Sequence, residues 1–186
     1  HLGPVKIGGG APVSVQSMTS TDTRDVRTTL RQVRALEACG CEIVRLAIPD
    51  EEALEAFGTI RRSVEVPLVA DIHFNYRLAI GALDKGAQGI RINPGNLKRN
   101  RIREIVKAAA DRGAVIRIGV NSGSLQKDIL SRHGGPTPEA LVESAMSNVA
   151  LLEDLGFTAL KVSLKSSDVP TMVRAYRLAS KKMSYP

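Results

Sequence analysis

What most constrains this chain is a unit that recurs six times: an apolar run of strand length, a turn, an amphipathic stretch of helix length and, often, a glycine. The apolar runs occupy 13–18, 42–47, 67–72, 88–93, 115–120 and 158–164. Helical stretches lie near 24–39, 50–63, 75–85, 98–112, 138–155 and 168–182. The runs are continuously apolar rather than alternating, which suits strands covered on both faces of a parallel sheet. Strict strand–helix alternation predicts an α/β fold. The punctuation agrees with it. Gly40, Gly86, Gly113 and Gly156 each follow a helical stretch, where a left-handed residue is favoured. Asp50 precedes Glu51 and Glu52 as an N-cap, and Thr137 precedes Pro138 at a first helical position. Leu141, Ala145, Val149 and Leu152 fall on one helix face.

Six units fit an open doubly wound sheet or a (β/α)₈ barrel cut short. A dinucleotide-binding sheet carries G-x-G-x-x-G after its first strand. Here Thr19-Ser20-Thr21-Asp22-Thr23 follows that strand, and Gly8-Gly9-Gly10 comes before it. The triple glycine therefore reads as a hairpin or a lid over the barrel bottom. The fold expected is a parallel (β/α) TIM-type barrel with six of its eight units in the chain.

The aligned strands carry a second repeat. Arg45, Arg91, Arg117 and Lys161 each stand between apolar neighbours on successive strands, and strand three carries Asp71 and His73 towards its end instead. A buried cation without a partner costs several kcal/mol. Side chains near the C-terminal ends of barrel strands converge on one mouth. Converging cations need an anion, and the guanidinium fork suits phosphate oxygens. The pattern predicts a pocket for a multiply charged anion such as a diphosphate. Against it stands pairing of some cations with Asp71, Glu42 or other carboxylates, or an outward orientation between the helices. Asn93 shares the face of Arg91, Ser163 that of Lys161, and Asn121 opens a turn of small residues. Asp71 and His73 share a strand face and are candidates for proton donation or substrate contact. They lack a third ligand at metal-binding spacing, so no metal site is expected. Cys39 and Cys41 lie at the opposite end of a strand and read as structural.

The 186 residues carry a net charge of +7, and basic chains often bind nucleic acid. Aromatic residues make up only 3%, which leaves little to stack on bases, and no nucleic-acid-binding motif is present. Lys98-Arg99-Asn100-Arg101-Ile102-Arg103 reads as a solvated helix face. No apolar run approaches the roughly 18 residues of a membrane span, and no signal peptide is seen. Two closely spaced cysteines do not make a secreted scaffold. A cytoplasmic setting is expected, without membrane or nucleic-acid partners. The first residue is His1 rather than Met, which suggests a trimmed or engineered start.

Several blocks together resemble one family. They are Val13-Ser14-Val15-Gln16-Ser17-Met18-Thr19 with Thr21-Asp22-Thr23, Val44-Arg45-Leu46-Ala47-Ile48-Pro49, Ala70-Asp71-Ile72-His73-Phe74-Asn75, Arg91-Ile92-Asn93-Pro94-Gly95-Asn96, Arg117 to Ser124 and Lys161-Val162-Ser163-Leu164-Lys165. In this order they resemble the 4-hydroxy-3-methylbut-2-enyl diphosphate synthases of the non-mevalonate isoprenoid pathway. The resemblance implies reductive ring opening and dehydration of 2-C-methyl-D-erythritol 2,4-cyclodiphosphate. It implies electrons from ferredoxin or flavodoxin through a 4Fe-4S cluster, and a homodimer in which a barrel faces its partner's cluster domain. Carried over, Arg45, Arg91, Arg117 and Lys161 would bind the cyclodiphosphate, with Asn93, Asn121 and Ser163 adding hydrogen bonds. Asp71 and His73 would meet the substrate near its reacting end. The chain ends after its sixth unit, at Tyr185-Pro186, and Cys39 and Cys41 do not match the cluster motif. The expectation is that residues 1–186 are a partial substrate-binding barrel, with the iron–sulfur domain outside the chain. Such a fragment would bind no cluster, show no reductase activity and leave its first and sixth strands unpaired. The cations alone would also permit another phosphate-binding barrel, of pterin or aldol type.

Overall fold

Six parallel strands form one sheet in order β1 to β6 in the computed structural model, which describes residues 1–72 and 75–186, with Asn96 described by its backbone alone. The strands are Gln16–Met18 (β1), Ile43–Ala47 (β2), Leu68–Asp71 (β3), Gly89–Ile92 (β4), Val115–Asn121 (β5) and Leu160–Lys165 (β6). The helices are Val26–Ala38 (α1), Glu51–Arg61 (α2), Tyr76–Asp84 (α3), Arg99–Asp111 (α4), Lys127–His133 (α5), Pro138–Glu153 (α6) and Val169–Lys182 (α7). The sheet curls enough for its two edge strands to touch across the interior. Lys161 Nζ on β6 donates to Gln16 Oε1 on β1 at 3.3 Å. This is a (β/α) barrel of six units with an open side, as the repeat predicts.

The helix boundaries follow their caps. Asp50 Oδ1 accepts from the backbone N–H of Ala53 at 2.9 Å, and Thr137 Oγ1 accepts from that of Ala140 at 3.2 Å. Gly40, Gly86, Gly113 and Gly156 all have positive φ, so each closes its helix in a conformation costly to other residues. Helix α5 has no counterpart in the sequence reading. Seven residues give too few turns for an apolar period to stand out, and only Ile129 in it is buried.

Strand β1 is half as long as expected, and its surroundings explain why. The Val15 carbonyl still accepts from the Glu42 and Ile43 N–H groups, but the Val15 N–H donates to the side chain of Glu42 at 2.7 Å instead of to a strand. Val13 is 96% exposed, and the ladder does not extend past Val15.

Strand side chains alternate between two cores. Outward residues such as Val44, Leu46, Leu68, Ala70, Ile90, Ile116 and Ile118 pack beneath Phe57, Ile60, Leu78, Ile105 and Leu141 of the helices. Inward residues Ile43, Val69 and Val115 form a small separate core with Leu2. Leu2 is tied down by paired backbone hydrogen bonds with Val5. It fits because β4 offers Gly89 there: a Cβ on Gly89 would lie 3.1 Å from Leu2 Cδ1. The Leu2–Val5 hairpin thus plugs the barrel bottom; the plug is this segment and not the Gly8-Gly9-Gly10 run for which a hairpin or lid was expected. Burying a leucine side chain contributes about 2 kcal/mol.

Candidate anion-binding site

Above the plug the inward faces turn polar, and parallel register builds the site. Ala47, Asp71, Arg91, Arg117 and Lys161 are consecutive register partners across β2 to β6, so their side chains share one level and one face. Arg45 lies two residues below Ala47 and reaches up: its Nε is 3.5 Å from Asp71 Oδ2 and 3.3 Å from Met18 Sδ. Arg91 approaches the same carboxylate from the other side, with a nitrogen 3.4 Å from Asp71 Oδ1. Among the described residues, no carboxylate lies within ion-pairing distance of Arg117 or Lys161. Lys161 instead donates to the neutral Gln16.

The electrostatic consequences follow. Burial, then the nearby Arg45, holds Arg117 below the usual guanidinium range, and Asp71 offsets this only in part. Burial, then Arg117 and Arg45, lowers Lys161 to about 8. At this level Arg45, Arg91, Arg117 and Lys161 stand against the one carboxylate of Asp71, with Lys161 itself outside the cavity wall. Crowding such charges in a half-dry site costs on the order of several kcal/mol. An anion that entered would recover that energy.

A cavity of about 430 Å³ opens over these groups, lined by Arg45, Asp71, Arg91, Arg117, Asn121 and Ser163 together with Val120, Leu164, Lys165 and Tyr176. That is enough room for a small phosphorylated metabolite. Asn121 closes a short turn, its Oδ1 accepting from the Gly123 N–H at 3.2 Å, and still faces the cavity. Asn93 is buried, outside the cavity wall, with Oδ1 unpartnered among the described residues. His73, the remaining expected site residue, lies outside the described residues.

The expectation is sharpened at Asp71. It lies between Arg45 and Arg91 and bridges them. The pairing expected as the alternative is present at Asp71, and a cavity opens over the same groups. Sequence reasoning missed Gln16, Lys165 and Tyr176. Gln16 and Lys165 could have been found by the two-residue strand period, since they share faces with Met18 and Ser163. Tyr176 comes from α7, and its hydroxyl accepts from the Leu164 N–H at 3.0 Å, a contact no strand pattern reveals.

The described residues do not fit an iron–sulfur cluster. Among the described residues no group of three His, Cys, Asp or Glu side chains could hold a metal ion. Cys41 is buried at the start of β2, its thiol donating to the Ile43 carbonyl at 3.1 Å, at the end of the sheet away from the cavity.

Comparison with known proteins gives one family. The profile of the GcpE TIM-barrel domain matches residues 1–186. The 4-hydroxy-3-methylbut-2-en-1-yl diphosphate synthase (flavodoxin) of Acidithiobacillus ferrooxidans is 54% identical over 187 aligned positions, covering 100% of this chain and 51% of that protein. The protein of the same name from Nitratidesulfovibrio vulgaris is 56% identical, covering 100% of this chain and 48% of its own length. The chain thus spans about half the length of these curated relatives. Among solved structures, Xanthomonas albilineans dihydropteroate synthase superposes with a TM-score of 0.64 at 13% identity, over 93% of this chain and 70% of that one. That likeness shows a shared TIM-barrel fold.

Proposed function

The chain belongs to the GcpE TIM-barrel domain family, and on that premise we propose that it is the substrate-holding barrel of a 4-hydroxy-3-methylbut-2-enyl diphosphate synthase. Its ligand is 2-C-methyl-D-erythritol 2,4-cyclodiphosphate. The observation that carries this reading is a cavity of about 430 Å³ whose wall sets Arg45, Arg91, Arg117 and Lys165 against the one carboxylate of Asp71. A cyclic diphosphate brings two negative charges and several oxygens on a small carbon frame. Arg117, which lies on the cavity wall and which no described carboxylate pairs, meets those oxygens first, and Lys161 is the further cation of the set. Arg45 and Arg91 join as Asp71 releases them. Asn121 and Ser163, on the cavity wall, donate to remaining oxygens or ring hydroxyls. Asn93 is the further polar group of this set, and the family resemblance assigns Asp71 and His73 to the reacting end of the substrate.

The reductive ring opening belongs to the whole protein. Its electrons come from flavodoxin, the donor in the relatives' names, through a 4Fe-4S cluster whose ligands are not among the residues described here. We place that cluster on a separate domain, within a homodimer in the cytoplasm. No described helix is long and apolar enough to cross a membrane. The contribution of this barrel is to bind and orient the diphosphate.

Calorimetric titration of the cyclodiphosphate into the protein tests the reading. Binding should be millimolar or tighter and weaken about 100-fold in Arg117→Ala, the loss of a desolvated charged contact. Equal affinity for the wild type and Arg117→Ala would sink it, as would a strong preference for DNA with a steep salt dependence.

A further inference from the structure

We infer that Gly119 is a positioning residue for the anion site, kept bare so that the Arg91 guanidinium can lie across β5. The inference rests on the reading of this pocket as an anion site. Gly119 lies inside β5, paired with Ser163 of β6, and has no positive φ. Its backbone would accept an alanine without strain, so conformation does not explain the glycine. Space does. A Cβ at this position would lie 2.8 Å from one terminal nitrogen of Arg91 and 2.9 Å from its Cζ, and closer still to its Nε. Real side chains do not approach so closely. The group struck is the planar guanidinium, whose charge points to Asp71 on one side and into the cavity on the other.

The register explains why the bare position falls here. Arg91 and Arg117 are direct partners on adjacent strands, and like charges directly opposite destabilise a sheet. Arg91 avoids stacking on Arg117 by leaning one step up its neighbour, over residue 119, which shares Arg117's face two positions on. A methyl group there would block the lean and push the Arg91 head back towards Arg117 or out of the site. Gly119 therefore touches no substrate and acts only through Arg91.

Four forms of the full chain test this: wild type, Gly119→Ala, Arg91→Ala and the double variant. Three readouts are taken: thermal midpoint, the Arg91 Nε–H signal by NMR, assigned by its loss in Arg91→Ala, and calorimetric binding of inorganic pyrophosphate. Gly119→Ala should shift the Arg91 signal, lower the midpoint and weaken pyrophosphate at least 10-fold. In the Arg91→Ala background the same methyl group should change neither midpoint nor affinity, because its target is gone. If Gly119→Ala cannot fold alone, a folded double variant supports the collision. An unmoved Arg91 signal, or equal losses in both backgrounds, overturns it. Should wild type fail to bind pyrophosphate, the anion-site reading falls, while the Arg91 signal and the midpoints still decide the role of Gly119.

Discussion

The two ends of the barrel interior use the same strands for opposite purposes. At the bottom, Ile43, Val69 and Val115 close on Leu2, an apolar layer with no polar group to satisfy. One step up each strand stand Arg45, Asp71 and Arg117, half-buried or buried, crowded and only partly neutralised. The bottom is filled and the top is hollow. The lower layer supplies hydrophobic stability, and the upper layer consumes part of it to hold charges ready for a ligand. A change at one end should therefore be read in stability alone, and at the other mainly in affinity and its dependence on pH.

Leu2→Ala gives the largest effect and breaks the lower layer only. The residue is fully buried, and a leucine-to-alanine cavity costs about 2–5 kcal/mol. Chemical denaturation should record that loss. Pyrophosphate affinity measured well below the midpoint should stay within about twofold of wild type, since separate layers behave nearly independently. A large loss of affinity in folded Leu2→Ala would show that the plug sets the cation geometry and that the two ends are one structure.

How far the sequence disclosed these two ends follows from what a strand pattern can encode. Periodicity shows which residues share a side of one strand, so Asn93 with Arg91 and Ser163 with Lys161 could be grouped from spacing, while the common inward face of the cations came from the register of the sheet. Caps and glycines carry local chemistry, so the helix ends at Asp50, Thr137 and Gly86 were equally legible. Register between strands is not local. Whether Asp71 would fall beside Arg91 or one step away depends on the alignment of β3 with β4, and so the double pairing of Asp71 emerged only from the fold. Gly119 looked like an ordinary small residue near a turn, because the side chain that needs its space comes from another strand. The shortened β1 was hidden for the same reason, its limit set by the Glu42 side chain, whereas α5 was hidden because seven residues give too few turns to show a period.

The middle-sized prediction concerns pH and belongs to the upper layer. Lys161 sits near 8 instead of its usual 10.5, first because it is buried and then because Arg117 and Arg45 repel its charge. Between those two values the unfolded chain holds a proton that the folded chain has released. Stability should therefore rise with pH across that window, measured against Lys161→Met, which lacks the group. Below about 8 the folded protein bears the full penalty, so Lys161→Met should melt higher than wild type at pH 7. Binding runs the other way. An anion favours the charged lysine, so pyrophosphate affinity should fall as pH climbs past about 8, by at most tenfold per pH unit. Proton uptake at that pH should appear as a binding heat that varies with the buffer's ionisation enthalpy. A pH-independent affinity from 7 to 9.5, in both wild type and Lys161→Met, would remove Lys161 from the site.

The smallest effect is the most discriminating, because it asks which way Asp71 works. Its carboxylate holds Arg45 and Arg91 at 3.5 and 3.4 Å, so an arriving anion must compete with it for both. If competition dominates, Asp71→Asn frees the two guanidiniums and leaves them more repulsive towards Arg117. Pyrophosphate should then bind about fivefold more tightly, the worth of roughly 1 kcal/mol for a partly solvated ion pair, while the ligand-free protein melts lower. If orientation dominates, the same variant lets the arginines drift and pyrophosphate binds more weakly. The first outcome makes Asp71 an internal stand-in for the substrate's phosphates, which keeps the upper layer folded when no ligand is present. The second makes it a brace, and the upper layer would then resemble the lower one more than its charges suggest.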